Sequence, residues 1–117
     1  MKFVGKREAP MTLSKQRKLL GNHLNFAAAE AYKLLRTNLM FALPNNNECR
    51  VIGITSALRG EGKSTTSVNL AYTIAQTGER VLMIEADMRL PNVAQRLALR
   101  PTLGLSDLLA GLCTREE

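Results

Sequence analysis

Cysteine, histidine, aromatic side chains and long apolar runs are all scarce in this sequence, and each shortage removes a class of protein. The two cysteines, Cys49 and Cys113, stand far apart with no histidine beside them, a spacing that builds neither a zinc site nor a disulfide framework. They read as packing or surface thiols of a reducing compartment. No apolar run approaches the roughly 18–20 residues of a membrane span. Charges interrupt the N-terminal stretch too often for a secretory signal, so the chain is expected in the cytoplasm. Aromatic residues make up 4% of the chain, and only Phe3 and Phe26 are placed to stack on bases. No base-reading motif accompanies them, which argues against nucleic acid as a partner.

What is present is the composition of an ordinary globular protein, 45% hydrophobic and 22% charged, in a chain of 117 residues that suits one domain. The net charge of +6 is unevenly placed. Residues 1–36 hold all of the excess, and the remainder is balanced. Residues 1–24 therefore read as a basic N-terminal arm, suited to an anionic membrane surface near a membrane partner or to simple solvation. Residues 25–117 read as a separate unit.

From Asn25, a suitable N-cap, the stretch FAAAEAYKLLRTNLMFAL runs at helical spacing, with Ala31, Leu34, Leu35 and Leu39 on one side. Pro44 and the run Asn45-Asn46-Asn47 stop it. The period then changes. VIGITS (51–56) and VLMIEA (81–86) are short, apolar and partly β-branched, the pattern of buried strands, and a helix from about Ser64 to Thr77 separates them, with Gly78 as its cap. Strand, helix and strand form one right-handed βαβ unit. Short helices are expected between Pro91 and Leu99, ended by Pro101, and from Gly104 to Gly111. The fold class is thus α/β, a parallel sheet with flanking helices. Two strands do not complete such a sheet, so the domain is expected to be incomplete at its C-terminus.

Between the first strand and its helix lies Ala57-Leu58-Arg59-Gly60-Glu61-Gly62-Lys63-Ser64, the phosphate-loop pattern in the position its mechanism requires. Gly60 and Gly62 let the backbone turn, so that successive N–H groups from Gly60, Glu61 and Gly62 onward form an anion nest at a helix N-terminus. Lys63 would reach the β- and γ-phosphates, Ser64 would ligate Mg²⁺, and Thr65 would contact the α-phosphate. After the second strand comes Glu85-Ala86-Asp87-Met88-Arg89-Leu90-Pro91. Strand alternation puts Glu85 and Asp87 on one side of the C-terminal edge, where carboxylates can hold Mg²⁺ or accept a proton from an attacking hydroxyl. A solvated acidic loop is the plainer reading of the same residues.

These features together resemble the bacterial tyrosine kinases of capsule and exopolysaccharide synthesis, phosphate-loop enzymes unrelated to eukaryotic protein kinases. The likeness runs from Glu30 to Gly111 and rests on EAYKLLRTNL (30–39), the phosphate loop, EADMRLP (85–91) and GLSDLLAG (104–111). The resemblance implies a phosphate-loop NTPase fold, ATP and Mg²⁺ as cofactors, and γ-phosphoryl transfer to protein tyrosine. It makes Lys63, Glu85 and Asp87 the catalytic set, with Ser64 and Asp87 on the metal. The family's acidic motif begins with Asp where this chain has Glu85, one methylene longer. Glu30, Lys33 and Arg36 correspond to a helical motif of ring assembly, with Lys at the middle site, and on a helix they share a face. The implied partners are further copies of the chain and a membrane-embedded activator, at the inner face of the membrane. The family's Walker B strand and tyrosine cluster are expected further along than Glu117. A partition-type ATPase, whose loop carries an extra lysine at the position held here by Leu58, is one competing reading. A nucleotide-binding fragment without catalysis is another.

Overall fold

A computed structural model describes residues 21–44, 49–100 and 103–114. Residues 1–20 of the basic arm, the asparagine run and Pro101 lie outside them. A short 3-10 turn, η1 (Gly21–His23), leads into α1 (Phe26–Ala42), α2 (Lys63–Ala75), α3 (Val93–Arg96) and α4 (Leu105–Leu109). Each helix starts and stops for a local reason. Asn25 caps α1 by accepting the Ala28 N–H on its side-chain oxygen at 2.8 Å, and α1 ends just before Pro44, which cannot continue it. Gly78 takes the left-handed conformation just beyond α2 (φ 88°), where a β-carbon would be strained.

The two shortest helices end in the same motif with different residues. At the end of α4, Gly111 is left-handed (φ 70°), its N–H meets the Leu108 carbonyl at 3.1 Å, and the Leu112 N–H reaches back to Asp107 at 2.9 Å. At the end of α3 the corresponding bonds are Ala98 to Gln95 at 3.1 Å and Leu99 to Ala94 at 2.9 Å. There the left-handed position is Ala98, at φ 56°. Both are Schellman ends, and only the first has the glycine that the geometry favours.

The packed centre is the middle of α2. Val68 and Leu70 are the buried apolar side chains among the described residues, and Asn69 and Thr73 are buried beside them. Asn69 is fully enclosed, and its Oδ1 accepts the backbone N–H of Gly21 at 2.8 Å, which docks η1 on α2. Gly21 lies against the ring of Tyr72, and a β-carbon there would touch it at 3.6 Å. Arg36 ties α1 to the same helix by donating Nη1 to the Thr73 carbonyl at 2.9 Å. Along α1 itself, Ala31, Leu34 and Leu35 stay exposed and Leu39 is half-buried, so the apolar side of that helix is mostly uncovered.

The expected parallel sheet is the main departure. Among the described residues no strand is formed, and the order of regular elements is helical throughout. The segments 51–56 and 81–86 nevertheless keep the strand period in their exposure. Ile52, Ile54 and Ser56 are half-buried between exposed neighbours, and Met83 and Glu85 alternate likewise. Their outer side chains face solvent, with Val51 89%, Leu82 85% and Ile84 61% exposed. A parallel ladder forms where both faces are covered and each strand has a neighbour to bond. Neither condition is met here, so the side-chain pattern is present without the ladder. The short helices fall inside the expected spans, and α2 begins one residue earlier than Ser64.

Candidate functional site

The loop between residue 56 and α2 is bent by its glycines and tied by its own side chains. Gly60 (φ 89°) and Gly62 (φ 93°) both lie in the left-handed region, with nothing within 4 Å of where a β-carbon would stand. Glycine is needed there for backbone conformation rather than for space. The Ser56 hydroxyl donates to the Leu58 carbonyl at 3.0 Å, and the Leu58 N–H donates to Glu61 Oε2 at 3.0 Å. The Glu61 side chain thus closes the loop on itself.

Helix α2 opens on Gly62, which has no side chain to cap it. Its first intrahelical bond, Thr66 N–H to the Gly62 carbonyl at 2.8 Å, lies beyond Lys63, Ser64 and Thr65. The amides of those three residues are the ones a helix leaves for an external acceptor, and the helix dipole makes that end positive. An uncapped N-terminus, two left-handed glycines before it and Lys63 as the first helical residue fit a polyphosphate. The residues expected at such a site are Gly60, Glu61, Gly62, Lys63, Ser64 and Thr65. All but the exposed Gly60 and Glu61 are half-buried, and all lie on one continuous turn of chain.

The acidic segment is arranged differently from the simplest strand-end picture. Glu85 turns its carboxylate onto the start of α3, with Oε1 accepting the N–H groups of Asn92 at 2.8 Å and Val93 at 3.1 Å. It supplies the cap that Asn92 does not, since the Asn92 side chain makes no capping bond. Asp87 Oδ1 accepts the Leu90 N–H at 3.2 Å and shapes the turn before Pro91. Each carboxylate therefore anchors the loop that follows it. Among the described residues no three His, Cys, Asp or Glu side chains gather as a metal cluster. A magnesium ion at this loop would rest on the Ser64 hydroxyl and on phosphate oxygens, with Asp87 as the acidic side chain expected there.

Of the three helical residues expected at a subunit interface, Glu30 and Lys33 pair with each other on the surface of α1, Oε1 to Nζ at 2.7 Å. Arg36 is turned inward onto Thr73, at the C-terminal end of α2, where a cation meets a helix's negative end.

Two residues of the site were not singled out from sequence. Arg96 donates Nη1 to Thr65 Oγ1 at 2.9 Å, linking α3 to the first turn of α2. Asn69 holds η1 beneath the same helix. The signal for Arg96 was a basic residue one helical turn beyond a Pro-Asn helix start, which fixes its face but not its partner. Asn69 had no signal, because a polar residue inside a helix ordinarily reads as exposed. Both Cys49 and Cys113 are free thiols. Among the described residues no helix is long and apolar enough to cross a membrane.

Known proteins resemble this part of the chain in sequence. The AAA domain family, a group of phosphate-loop NTPases, matches residues 49–109, from just before the first apolar segment through α4. The tyrosine-protein kinase YwqD of Bacillus subtilis is 43% identical over 89 residues, which are 76% of this chain and 37% of that protein. The tyrosine-protein kinase wzc of Salmonella typhi is 42% identical over 101 residues, 83% of this chain and 14% of that one. The succinoglycan biosynthesis transport protein ExoP of Rhizobium meliloti is 45% identical over 65 residues, 56% of this chain and 8% of that one. The matched part is thus little more than a third of the length of YwqD and much less of the other two. No solved structure matches the chain. With its phosphate loop set at the mouth of α2 and these relatives alongside, the chain belongs to the AAA domain family and is related to the bacterial tyrosine-protein kinases.

Proposed function

We propose that the chain is the nucleotide-holding part of a protein-tyrosine kinase of polysaccharide synthesis, binding ATP with Mg²⁺ at residues 60–65. The observation that carries this reading is the uncapped start of α2 behind two left-handed glycines, with Lys63 at its first position. ATP with Mg²⁺, when bound, supplies an activated γ-phosphoryl group for transfer to a tyrosine hydroxyl. The backbone amides of the loop orient the phosphate chain, Lys63 neutralises its outer charge, and Ser64 holds the metal. Asp87 is the residue assigned to the metal and to the incoming hydroxyl. Glu85, engaged with the amides of Asn92 and Val93, fits a structural part better than that of a base. In the working domain, residues 51–56 and 81–86 are strands of a parallel sheet.

The proposed partners are a membrane-embedded activator, further copies of the chain meeting through the exposed Glu30 and Lys33 of α1, behind which Arg36 is held on Thr73, and a tyrosine-bearing protein substrate. The proposed location is the cytoplasmic side of the membrane. Nucleotide binding without catalysis is the second reading, favoured by the capping role of Glu85.

Titration of the purified chain with Mg·ATP separates these from a protein with no nucleotide site. Lys63→Met should weaken binding by about tenfold or more, the loss expected of one charge-assisted phosphate contact. Equal affinity in parent and variant would remove the site assignment. Tyrosine phosphorylation in the presence of the activator distinguishes the kinase from the binding module.

A further inference from the structure

The hydroxyls of α2 are not all used alike. Ser67 and Thr73 donate their protons to carbonyls one turn back, on Lys63 at 2.8 Å and on Asn69 at 2.7 Å. Thr65 is instead an acceptor, taking a hydrogen from Arg96 Nη1 at 2.9 Å across 31 residues of sequence. A guanidinium has no acceptor, so this bond fixes the Thr65 oxygen and leaves its proton to be donated elsewhere. An O–H whose oxygen already accepts from a cation is a stronger donor.

Arg96 is itself held from behind. It sits on α3, and the start of α3 is pinned by the Glu85 carboxylate through Asn92 at 2.8 Å and Val93 at 3.1 Å. The far end of α3 is closed by the Schellman bonds at Ala98 and Leu99. A helix of four residues has little stability of its own, so these two ends decide where Arg96 stands.

We propose that Arg96 is a positioning residue for nucleotide binding: it holds the Thr65 hydroxyl so that its proton is directed to a phosphate oxygen, and Glu85 places Arg96 by capping α3. This rests on the nucleotide reading above and adds to it a residue outside the loop motif. It also gives the acidic segment a task at the phosphate site that does not require Glu85 to touch metal or substrate.

The test is a double-variant cycle on the whole chain, reading affinity calorimetrically for Mg·ADP and for ADP carrying sulfur in place of a non-bridging α-phosphate oxygen. Arg96→Met and Thr65→Val should each weaken ADP binding about five- to tenfold. The double variant should be no weaker than Thr65→Val within a factor of about two, because both remove one arrangement. Arg96→Lys should recover part of the loss. The parent should discriminate oxygen from sulfur, and both single variants should lose that discrimination. A merely structural fault would weaken both ligands alike and leave their ratio unchanged.

Should Arg96→Met lose the helical circular-dichroism signal, the same cycle run with Arg96→Ala, which removes the guanidinium and favours the helix, replaces it. Losses that multiply in the double variant, an unchanged oxygen-to-sulfur ratio, or binding by Arg96→Met within twofold of the parent would overturn the inference while leaving the nucleotide site standing. Failure of the parent itself to bind ADP would overturn both.

Discussion

Replacing Asn69 with leucine keeps the branched outline of a side chain that is 0% exposed, adds the bulk of two methyl groups, and removes the oxygen that accepts the Gly21 N–H at 2.8 Å. Leucine offers no acceptor, and Gly21 lies against the Tyr72 ring, where water has poor access to replace it. A part-buried donor left without a partner costs about 1–3 kcal/mol, which corresponds to a change of about 5- to 150-fold in an opening equilibrium. The assay is amide hydrogen exchange followed by NMR. Protection of the Gly21 amide should fall by that factor. The Thr66 amide, bonded to the Gly62 carbonyl at 2.8 Å, serves as the internal reference and should change less. Undiminished protection at Gly21 would show that η1 is held by something other than Asn69, and the docking argument would fail with it.

Two further perturbations probe the helix ends and the helix pair. Ala98→Gly should stabilise the chain by about 0.5–1 kcal/mol, because a left-handed L-residue costs about 1–2 kcal/mol and glycine gives back part of that as chain entropy; a lower melting temperature would contradict the φ of 56° at Ala98. Arg36→Met should lower stability by about 1.5–3 kcal/mol in chemical denaturation, the worth of a charge-assisted bond to the Thr73 carbonyl. Lys33→Ala, which breaks only the exposed pair with Glu30, should change it by less than about 1 kcal/mol, and equal effects from the two would refute the distinction.

What could be read from sequence was local. The Asn25 cap, the stop at Pro44 and the glycine beyond α2 follow from the conformational limits of single residues, and each is found where those limits place it. The phosphate loop was legible for the same reason, since its chemistry lies in contiguous backbone. The parts that were not legible depend on residues far apart. Strand periodicity in 51–56 and 81–86 survives in the alternating exposure, but ladder formation depends on a neighbour, which no local pattern contains. The partners of Glu85 at the end of its segment were not legible, because a glutamate can turn to whichever N–H groups the next helix start presents. Arg96 and Thr65 meet only once α3 folds back beside α2.

The uncovered apolar segments have a consequence for the chain in solution. VIGITS and VLMIEA are short, β-prone and free of proline, and their outer residues Val51, Leu82 and Ile84 are wet. Backbone in this state is a template for pairing between molecules, and identical segments stack readily in register. The charges that bracket them, Arg50 before the first, Glu79 and Arg80 before the second, and Asp87 and Arg89 after it, are placed as gatekeepers that slow such stacking. Salt screens those charges, so the isolated chain should stay dispersed when dilute at low ionic strength and assemble into fibrous aggregates as either concentration or salt is raised.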